Sequence, residues 1–442
     1  MRLSDALRLK TPQSVSFSGA GGKTTAIFQL ACEFPQAIVT ATTHLGTWQT
    51  SLADRHIVAT KFSDLDEISS EGVTLVTGEI EEQRTKPVNQ DILYWLHENS
   101  RNKHIHLFIE ADGSRQKSLK SPADHEPPIP EFVDTAVVVA GLNTLGRPLT
   151  DKHVHRAGLF SQITGLDINQ QITSNSVTRM LTHPQGGRKN IPPAARRIAL
   201  LNQADTPELQ STGGGMARDL LDHFDSVIVG SLDNNSIQTF EHTAGIVLAA
   251  GASTRFGTAK QLLDWKGKSF VRHVAETALQ AGLWPVVVIT GFRSEEVESA
   301  LHGLPVNIIH NPDYRQGQST SIRTGINFLK PGGSRDAIGS AIFLLTDQPQ
   351  IPVEVIRALV ESHTQKMQTI VAPLVLENRR ANPVLFDRVT FPDLLQLEGD
   401  IGGRAIFSKY KVEYIPWHDD ILLLDVDNTE DYKRLIDIEY NK

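Results

Sequence analysis

The sequence predicts an α/β protein of two domains, each built on a mainly parallel sheet, and three observations carry that expectation. Apolar, strand-like runs alternate with amphipathic stretches along the whole chain, as they do where helices cover a parallel sheet. Two of those runs lead straight into glycine-rich loops, "SVSFSGAGGKTT" from Ser14 and "GIVLAAGASTRFGTAK" from Gly245. Between them the polar stretch "SLDNNSIQTFEHT", residues 231–243, has little periodicity, which places a linker at 236–243. The expected domains are therefore residues 1–235 and 244–442.

The elements follow in order. Strand candidates in the first half are "SVSFSG", "QAIVTATTH", "VTLVTG", "IHLFIEAD", "TAVVVAG", "RRIALLNQAD" and "DSVIVGSL". In the second half they are "AGIVLAAG", "WPVVVITG", "VNIIHNP", "AIFLLTDQP", "TIVAPLV" and "ILLLDVD". Phe270, Val271, Val274, Ala275, Ala278 and Leu279 recur at helical spacing, with Arg272, His273, Glu276 and Gln280 on the other face. The two glycine loops are built differently, so they are not an internal repeat.

Bulk properties narrow the function. A chain of 442 residues exceeds one comfortable core, and 40% hydrophobic with 21% charged residues is ordinary for a globular protein. The net charge of -8 argues against a general nucleic-acid or anionic-membrane binder, since both lean on basic surfaces. The start "MRLSDALRLK" lacks the apolar core of a secretory signal, and no apolar run approaches the roughly 20 residues that span a bilayer. Cys32 is the single cysteine, which excludes an internal disulfide or a thiolate metal cluster. The expected location is the cytoplasm.

In the second loop, Leu248, Ala249, Ala250, Gly251 and Ala252 lack polar bulk, so backbone amides can approach a phosphate closely. Arg255 and Lys260 then supply charge for a triphosphate, one as a fork and one as a point charge. "FLLTDQP" ends a strand at Asp347, and "LLLDVDNTEDY" ends another at Asp425 and Asp427. Carboxylates from two strand ends can share one Mg²⁺ that also binds phosphate oxygens. Asp347 and Asp427 are taken as that pair, with Asp425 expected to face the other way. Alone, either aspartate is more commonly a helix cap.

The first loop puts Gly22, Lys23 and Thr24 where a phosphate-binding P-loop has Gly-Lys-Thr, with Gly19 and Gly21 still able to turn amides inward. Phe17 stands where the full pattern has its first glycine. Lys23 would contact phosphates and Thr24 a Mg²⁺, with Glu110 and Asp112 as strand-end carboxylates, and Asp112 is taken as the metal ligand. "LLNQAD" sets Asn202 and Asp205 at the spacing of a guanine-reading loop, although a strand-end turn accounts for an isolated tetrapeptide as well. His44 is read as a polar core residue; His125–Glu126 and His155–Arg156 carry no assigned role.

Along 244–442, "LAAGASTRFGTAK", "KQLLDWKGKSFVRHV", "NPDYRQGQSTSIRTGI", "LLTDQPQI", "ANPVLF", "LEGDIGGRAIF" and "DVDNTEDY" run in the order of the NTP transferases. The segment most resembles the molybdenum cofactor cytidylyltransferases, relatives of the guanylyltransferase MobA. Thr346 departs from the glycine that family has before its metal aspartate. The resemblance implies a Rossmann-like nucleotidyltransferase domain in which Arg255, Lys260 and Asp347 carry catalysis. It implies Mg²⁺ as cofactor, CTP (or GTP) and molybdopterin-bound molybdenum cofactor as substrates, and pyrophosphate as product. Gln316, Gly317, Ser319, Ser321, Arg323, Asp400 and Arg404 fall on the acceptor side.

Across 14–205, "GAGGKTT", "VTATTHLG", "IEADGSRQKSLKSPADHEPPIP", "VHRAGLF" and "LLNQAD" resemble the YqeC-type accessory proteins of selenium-dependent molybdenum hydroxylases. That resemblance implies a P-loop-like α/β domain acting in maturation, with an apo molybdenum hydroxylase as partner. The leading expectation is a cytidylyltransferase fused to a nucleotide-binding maturation domain. The rivals are a guanylyltransferase or other NTP transferase, and a cofactor chaperone that binds nucleotide without catalysis.

Overall fold

The computed structural model describes residues 1–252, 259–329, 338–376 and 378–440, and every count or absence below refers to these. The chain divides into two compact units, Met1–Phe240 and Glu241–Lys442.

The strands of the first unit used below are β1 (Ser14–Gly19), β2 (Gln36–Ala41), β3 (Arg55–Val58), β4 (Gly72–Thr77), β5 (His106–Glu110), β6 (Leu119–Lys120), β7 (Thr135–Gly141), β8 (Val154–His155), β9 (Arg196–Asn202), β10 (Ser226–Ser231) and β11 (Ser236–Phe240). Nine of them form one sheet in the order β11-β10-β9-β7-β1-β5-β2-β4-β3, while β6 and β8 pair as a short ribbon. All neighbours in the sheet are parallel except β11, which runs antiparallel to β10. β1, β5 and β7 are buried almost throughout, which is why they read as continuous apolar or small-residue runs rather than alternating ones. The helix α1 (Lys23–Ala31) returns from β1 and buries Ala26, Ile27, Phe28 and Leu30 against Phe17 and its neighbours. Strand order reverses at β1, so its carboxyl end opens a crevice between chains leaving in opposite directions.

The stretch expected as a linker is a strand instead. Ile237 and Thr239 are buried while Ser236 is exposed, and the ladder to β10 runs from Ser231 opposite Ser236 to Val227 opposite Phe240. The period-two pattern of an edge strand was present under a polar composition.

In the second unit, β12 (His242–Ala249), β13 (Val286–Thr290), β14 (Asn307–His310), β15 (Ile338–Leu345), β16 (Ile370–Val375), β17 (Val384–Asp387) and β18 (Val412–Trp417) form the sheet together with the two-residue strand Arg379–Arg380, which pairs with β16. Its order is β14-β13-β12-β15-β17-β16, with β18 beside β16. β12 pairs in parallel with both β13 and β15, and β17 is antiparallel to its neighbours. The helix α2 (Phe270–Gln280) buries Phe270, Val271, Val274, Ala275 and Ala278, as its spacing requires. Strand order reverses at β12, between β13 and β15, and the loop after β12 leaves at that point.

"ILLLDVD" is not a strand. Asp420–Leu423 is a short 3₁₀ turn, and Leu424 to Asp427 follow outside any strand, tied by Val426 N–H to the Asp347 carbonyl at 3.0 Å and turned where Asp427 N–H donates to the Asp425 carbonyl at 3.1 Å. Leu422, Leu424 and Val426 are buried there without a sheet partner, so apolar alternation alone misread the backbone.

Candidate functional site

In the second unit β12 delivers Ala249 to the sheet edge and residues 250–252 turn out over a cleft of about 750 Å³. A Cβ added at Gly251 would meet nothing within 4 Å, so that glycine borders open cleft rather than packed protein. Of the predicted residues, Leu248, Ala250, Gly251, Lys260, Asp347, Gln316, Gly317, Ser321 and Asp400 line the cleft. Ala249 lies beneath it, 1% exposed. Arg255 lies outside the described residues. Thr346 sits where the resemblance implied glycine, and its hydroxyl donates to the Leu248 carbonyl at 3.1 Å, fastening the β15 end to the loop strand.

Lys260 connects the carboxylates. Its Nζ lies 3.1 Å from Asp347 Oδ2 and 2.7 Å from Asp427 Oδ1. Burial works against its charge, but Asp347 and Asp427 outweigh it and raise the ammonium pKa. Asp425 belongs to the same group. Its carboxyl is pushed up by burial and then by Asp347 and Asp427, while Gln348 Nε2 donates to it at 2.6 Å. The expectation that Asp425 and Asp427 face apart does not hold: the chain turns at Val426, where Asp427 N–H donates to the Asp425 carbonyl at 3.1 Å, and the two carboxyls repel one another.

The group fits a divalent cation. Asp347 Oδ1 is buried without a hydrogen-bond partner, and three carboxylates face one lysine. No three described His, Cys, Asp or Glu side chains form a ready-made metal cage. Mg²⁺ does not require one, since it is held by one or two carboxylates together with substrate phosphates.

On the acceptor side the structure separates the predicted residues. The Asp400 carboxylate accepts from Gln318 N–H at 3.2 Å, at the start of helix α3 (Gln318–Phe328), and Ser321 accepts from Asn311 at 3.0 Å. Ser319 is fully buried with its hydroxyl unpartnered, so it does not face the cleft. Arg404 bonds Asn382 at 3.1 Å and feels the charge of Asp425, but neither it nor Arg323 is in the cleft lining. Gln318, inside the stretch 316–323 expected on the acceptor side, lines it too, while sequence reasoning missed Tyr314, Arg315 and Gln261. The first two lie inside the quoted "NPDYRQGQSTSIRTGI", so the signal was the motif rather than any one residue.

In the first unit the loop after β1 is held close to its neighbours. Gly21, at φ +92°, has no room for a side chain, since a Cβ would stand 2.4 Å from Gly141 N. Lys23 does not project outward. Its Nζ donates to the Gly19 carbonyl at 2.6 Å and lies 3.1 Å from Asp112 Oδ1, with both side chains 2% exposed. Asp112 also holds Lys120 at 2.8 Å, and Lys120 reaches Glu126 at 2.9 Å.

Thr24 and Asp112 are therefore not brought together as a metal pair. Thr24 Oγ1 donates to Glu110 at 3.1 Å and accepts from Gln49 at 2.7 Å. Successive helical residues point about 100° apart, so Lys23 takes Asp112 and Thr24 takes Glu110. Burial pushes the Glu110 carboxyl up, opposed by Lys23. Asn202 donates to the Gly21 carbonyl at 2.8 Å and accepts from Leu232 N–H at 3.1 Å, so its amide holds backbone rather than a base. His44 is exposed, not a core residue.

Residues 15–158 match the family model for YqeC protein, and residues 245–414 match that for the MobA-like NTP transferase domain. The YqeC protein of Escherichia coli K12 is 32% identical over 203 residues, 44% of this chain and 77% of that relative. For the second unit, nicotine blue oxidoreductase of Paenarthrobacter nicotinovorans is 30% identical over 202 residues, 43% of this chain and 95% of the relative. A probable molybdenum cofactor guanylyltransferase of Bacillus cereus AH187 is 32% identical over 182 residues, 40% of this chain and 84% of the relative. The molybdenum cofactor cytidylyltransferase of Escherichia coli K12 is 35% identical over 82 residues, 18% of this chain and 42% of the relative. With its loop, cleft and carboxylates in these places, the chain belongs to the YqeC family in its first unit and to the MobA-like NTP transferases in its second.

Proposed function

We propose that the second unit transfers CMP from CTP to the terminal phosphate of molybdopterin-bound molybdenum cofactor. The first unit, on this reading, binds a nucleotide at its P-loop-like turn during cytoplasmic maturation of an apo molybdenum hydroxylase. The observation that carries the transferase reading is Lys260 between Asp347 and Asp427 at the cleft below residues 250–252. Such a group suits phosphate chemistry, and the oxidation named for one relative is a property of that relative. A phosphate oxygen of the acceptor attacks the α-phosphorus of the NTP, the bond to the bridging oxygen of the β-phosphate breaks, and pyrophosphate leaves.

The attacking oxygen is already ionised, so positioning and charge neutralisation matter more than a base. Lys260 and Arg255 hold the triphosphate, and the amides of residues 250–252 approach it. Asp347 and Asp427 would hold Mg²⁺, which supplies neutralisation of the phosphate charge. Gln316, Gly317, Ser321 and Asp400 line the cleft where the acceptor enters. CTP follows the motif resemblance; GTP is the alternative, and relatives of both names exist.

The test is pyrophosphate release by the full chain with Mg²⁺, molybdenum cofactor, and CTP or GTP in parallel. Turnover with CTP that falls at least about a hundredfold in Asp347→Asn supports the proposal. Turnover with GTP alone overturns the base assignment. Bound nucleotide with no turnover on either supports the rival carrier that delivers cofactor without catalysis.

A further inference from the structure

Lys23 and Lys120 share one carboxylate, and they are not held alike. Lys23 Nζ donates to the Gly19 carbonyl at 2.6 Å and lies 3.1 Å from Asp112 Oδ1, an oxygen that accepts no hydrogen bond among the described residues. Lys120 Nζ has three partners: Asp112 Oδ2 at 2.8 Å, Glu126 Oε2 at 2.9 Å and the Gly113 carbonyl at 2.7 Å. Asp112 Oδ2 also accepts from Gly19 N–H at 3.1 Å, so the carboxylate is fixed from its Lys120 side. The contact with Lys23 is the looser of the two.

The charges of this group balance. Lys23, Lys120 and Arg156 stand against Asp112, Glu126 and Glu110, the last counted because the Lys23 charge acts on its carboxyl. A lysine that leaves such a buried group strands a carboxylate unless a second cation stays on it. Lys23 nevertheless points the wrong way for a phosphate. Its side chain is 2% exposed and turned inward to Gly19 and Asp112, whereas a phosphate cradled by loop amides lies outside.

Space for an exchange lies on the Lys120 side. A cavity of about 30 Å³, room for one water, is bounded by Gly19, Asp112 and Lys120 and by the apolar Leu119 and Met180. Lys23 does not line it. Asp112 can turn into that space, or take a water there, once Lys23 lets go of Oδ1.

We infer that Lys120 is a positioning residue for the loop site: it keeps Asp112 neutralised, and so frees Lys23 to swing out to the phosphates of a bound nucleotide. The inference rests on nucleotide binding by the first unit and adds the step that makes a sealed lysine available. Lys23 exchanges the Gly19 carbonyl and Asp112 for phosphate oxygens, while Lys120 and Gly19 N–H retain the carboxylate. Lys120 touches no phosphate itself and acts only through Asp112.

The experiment follows the first loop by hydrogen exchange and mass spectrometry on the full chain. ATP, CTP or GTP is titrated with Mg²⁺, protection is read on peptides covering residues 17–31, and β12 peptides report binding by the second unit separately. Lys120→Met leaves Lys23 as the only cation on Asp112, so its release strands a buried carboxylate and the apparent affinity of the loop falls at least about tenfold. Adding Asp112→Asn removes the carboxylate that holds Lys23, and the double variant returns to within about threefold of the wild type. A Lys120 that only braces the ribbon predicts the reverse, with the double variant at least as weak as Lys120→Met. Exchange of β5 and β7 peptides without nucleotide checks that each variant is folded. Acylation of the wild type by an amine reagent is the second measurement, in which nucleotide leaves Lys120 as unreactive as before. Equal loop affinity in Lys120→Met, a folded double variant without recovery, or a Lys120 that nucleotide makes reactive overturns the inference and leaves nucleotide binding standing. No loop protection in the wild type with any of the three nucleotides overturns the binding reading, and this inference with it.

Discussion

Replacing Asp112 by asparagine isolates the most heavily committed charge in the first unit. Its carboxylate lies 3.1 Å from the Lys23 ammonium and 2.8 Å from that of Lys120, and all three side chains are at most 2% exposed. Asparagine keeps the shape, so no cavity forms, but two buried ammonium groups lose their shared counter-charge. Breaking a buried pair by removing one partner destabilises by about 3–5 kcal/mol, because the remaining charge stays desolvated. That corresponds to roughly 150-fold to 5,000-fold faster exchange of amides that open only with the unit, at about 1.4 kcal/mol per tenfold. Hydrogen exchange on the full chain, read by mass spectrometry on peptides covering β5 and β7, measures it, with β12 and β13 peptides as an internal control. Asp427→Asn provides contrast, since its side chain is 56% exposed and an exposed pair contributes at most about 1 kcal/mol. Exchange of β5 in Asp112→Asn within about threefold of the wild type would refute the claim that this network holds the unit together.

Acid should weaken the first unit in two steps. His155 is held at about 4 against an ordinary 6.5, so the unfolded chain binds its proton first and stability falls as pH drops from 6.5 toward 4. Glu126, held at about 2 against 4.5 despite burial because Arg156 and Lys120 bind it, contributes stability that is lost as pH falls from 4.5 toward 2. Urea midpoints for first-unit peptides should show the upper step in the wild type and not in His155→Gln. In the second unit, Gly251→Val should leave the melting temperature within about 2 °C yet weaken NTP binding at least about tenfold, since a side chain there enters open cleft. Gly317→Ala should destabilise by about 1–3 kcal/mol, because φ is +116° and the new Cβ would stand 2.4 Å from the Gly399 carbonyl. Unchanged NTP affinity in the first variant, or unchanged stability in the second, removes the steric argument.

The sequence by itself determined the local structure and much of the order of the chain. Buried parallel strands such as "TAVVVAG" and the helical spacing from Phe270 to Ala278 are periodicities set by backbone geometry, readable within one window. The first glycine loop was equally legible, since Gly21 holds φ +92°, a conformation that depends on its own residue type. Where polar composition hid an alternation, as in Ser236–Phe240, or apolar alternation occurred without a partner strand, as after Leu422, the reading failed. Only the tertiary structure decided which charges meet. Lys260 joins carboxylates 87 and 167 residues away, and Asp112 turns to Lys23 while Glu110 takes Thr24. The same holds for Arg156 and Glu126, thirty residues apart, which form their ion pair where β6 and β8 lie side by side. Periodicity describes how a segment coils, whereas a pairing depends on where distant strand ends arrive in space, and no window of sequence contains both.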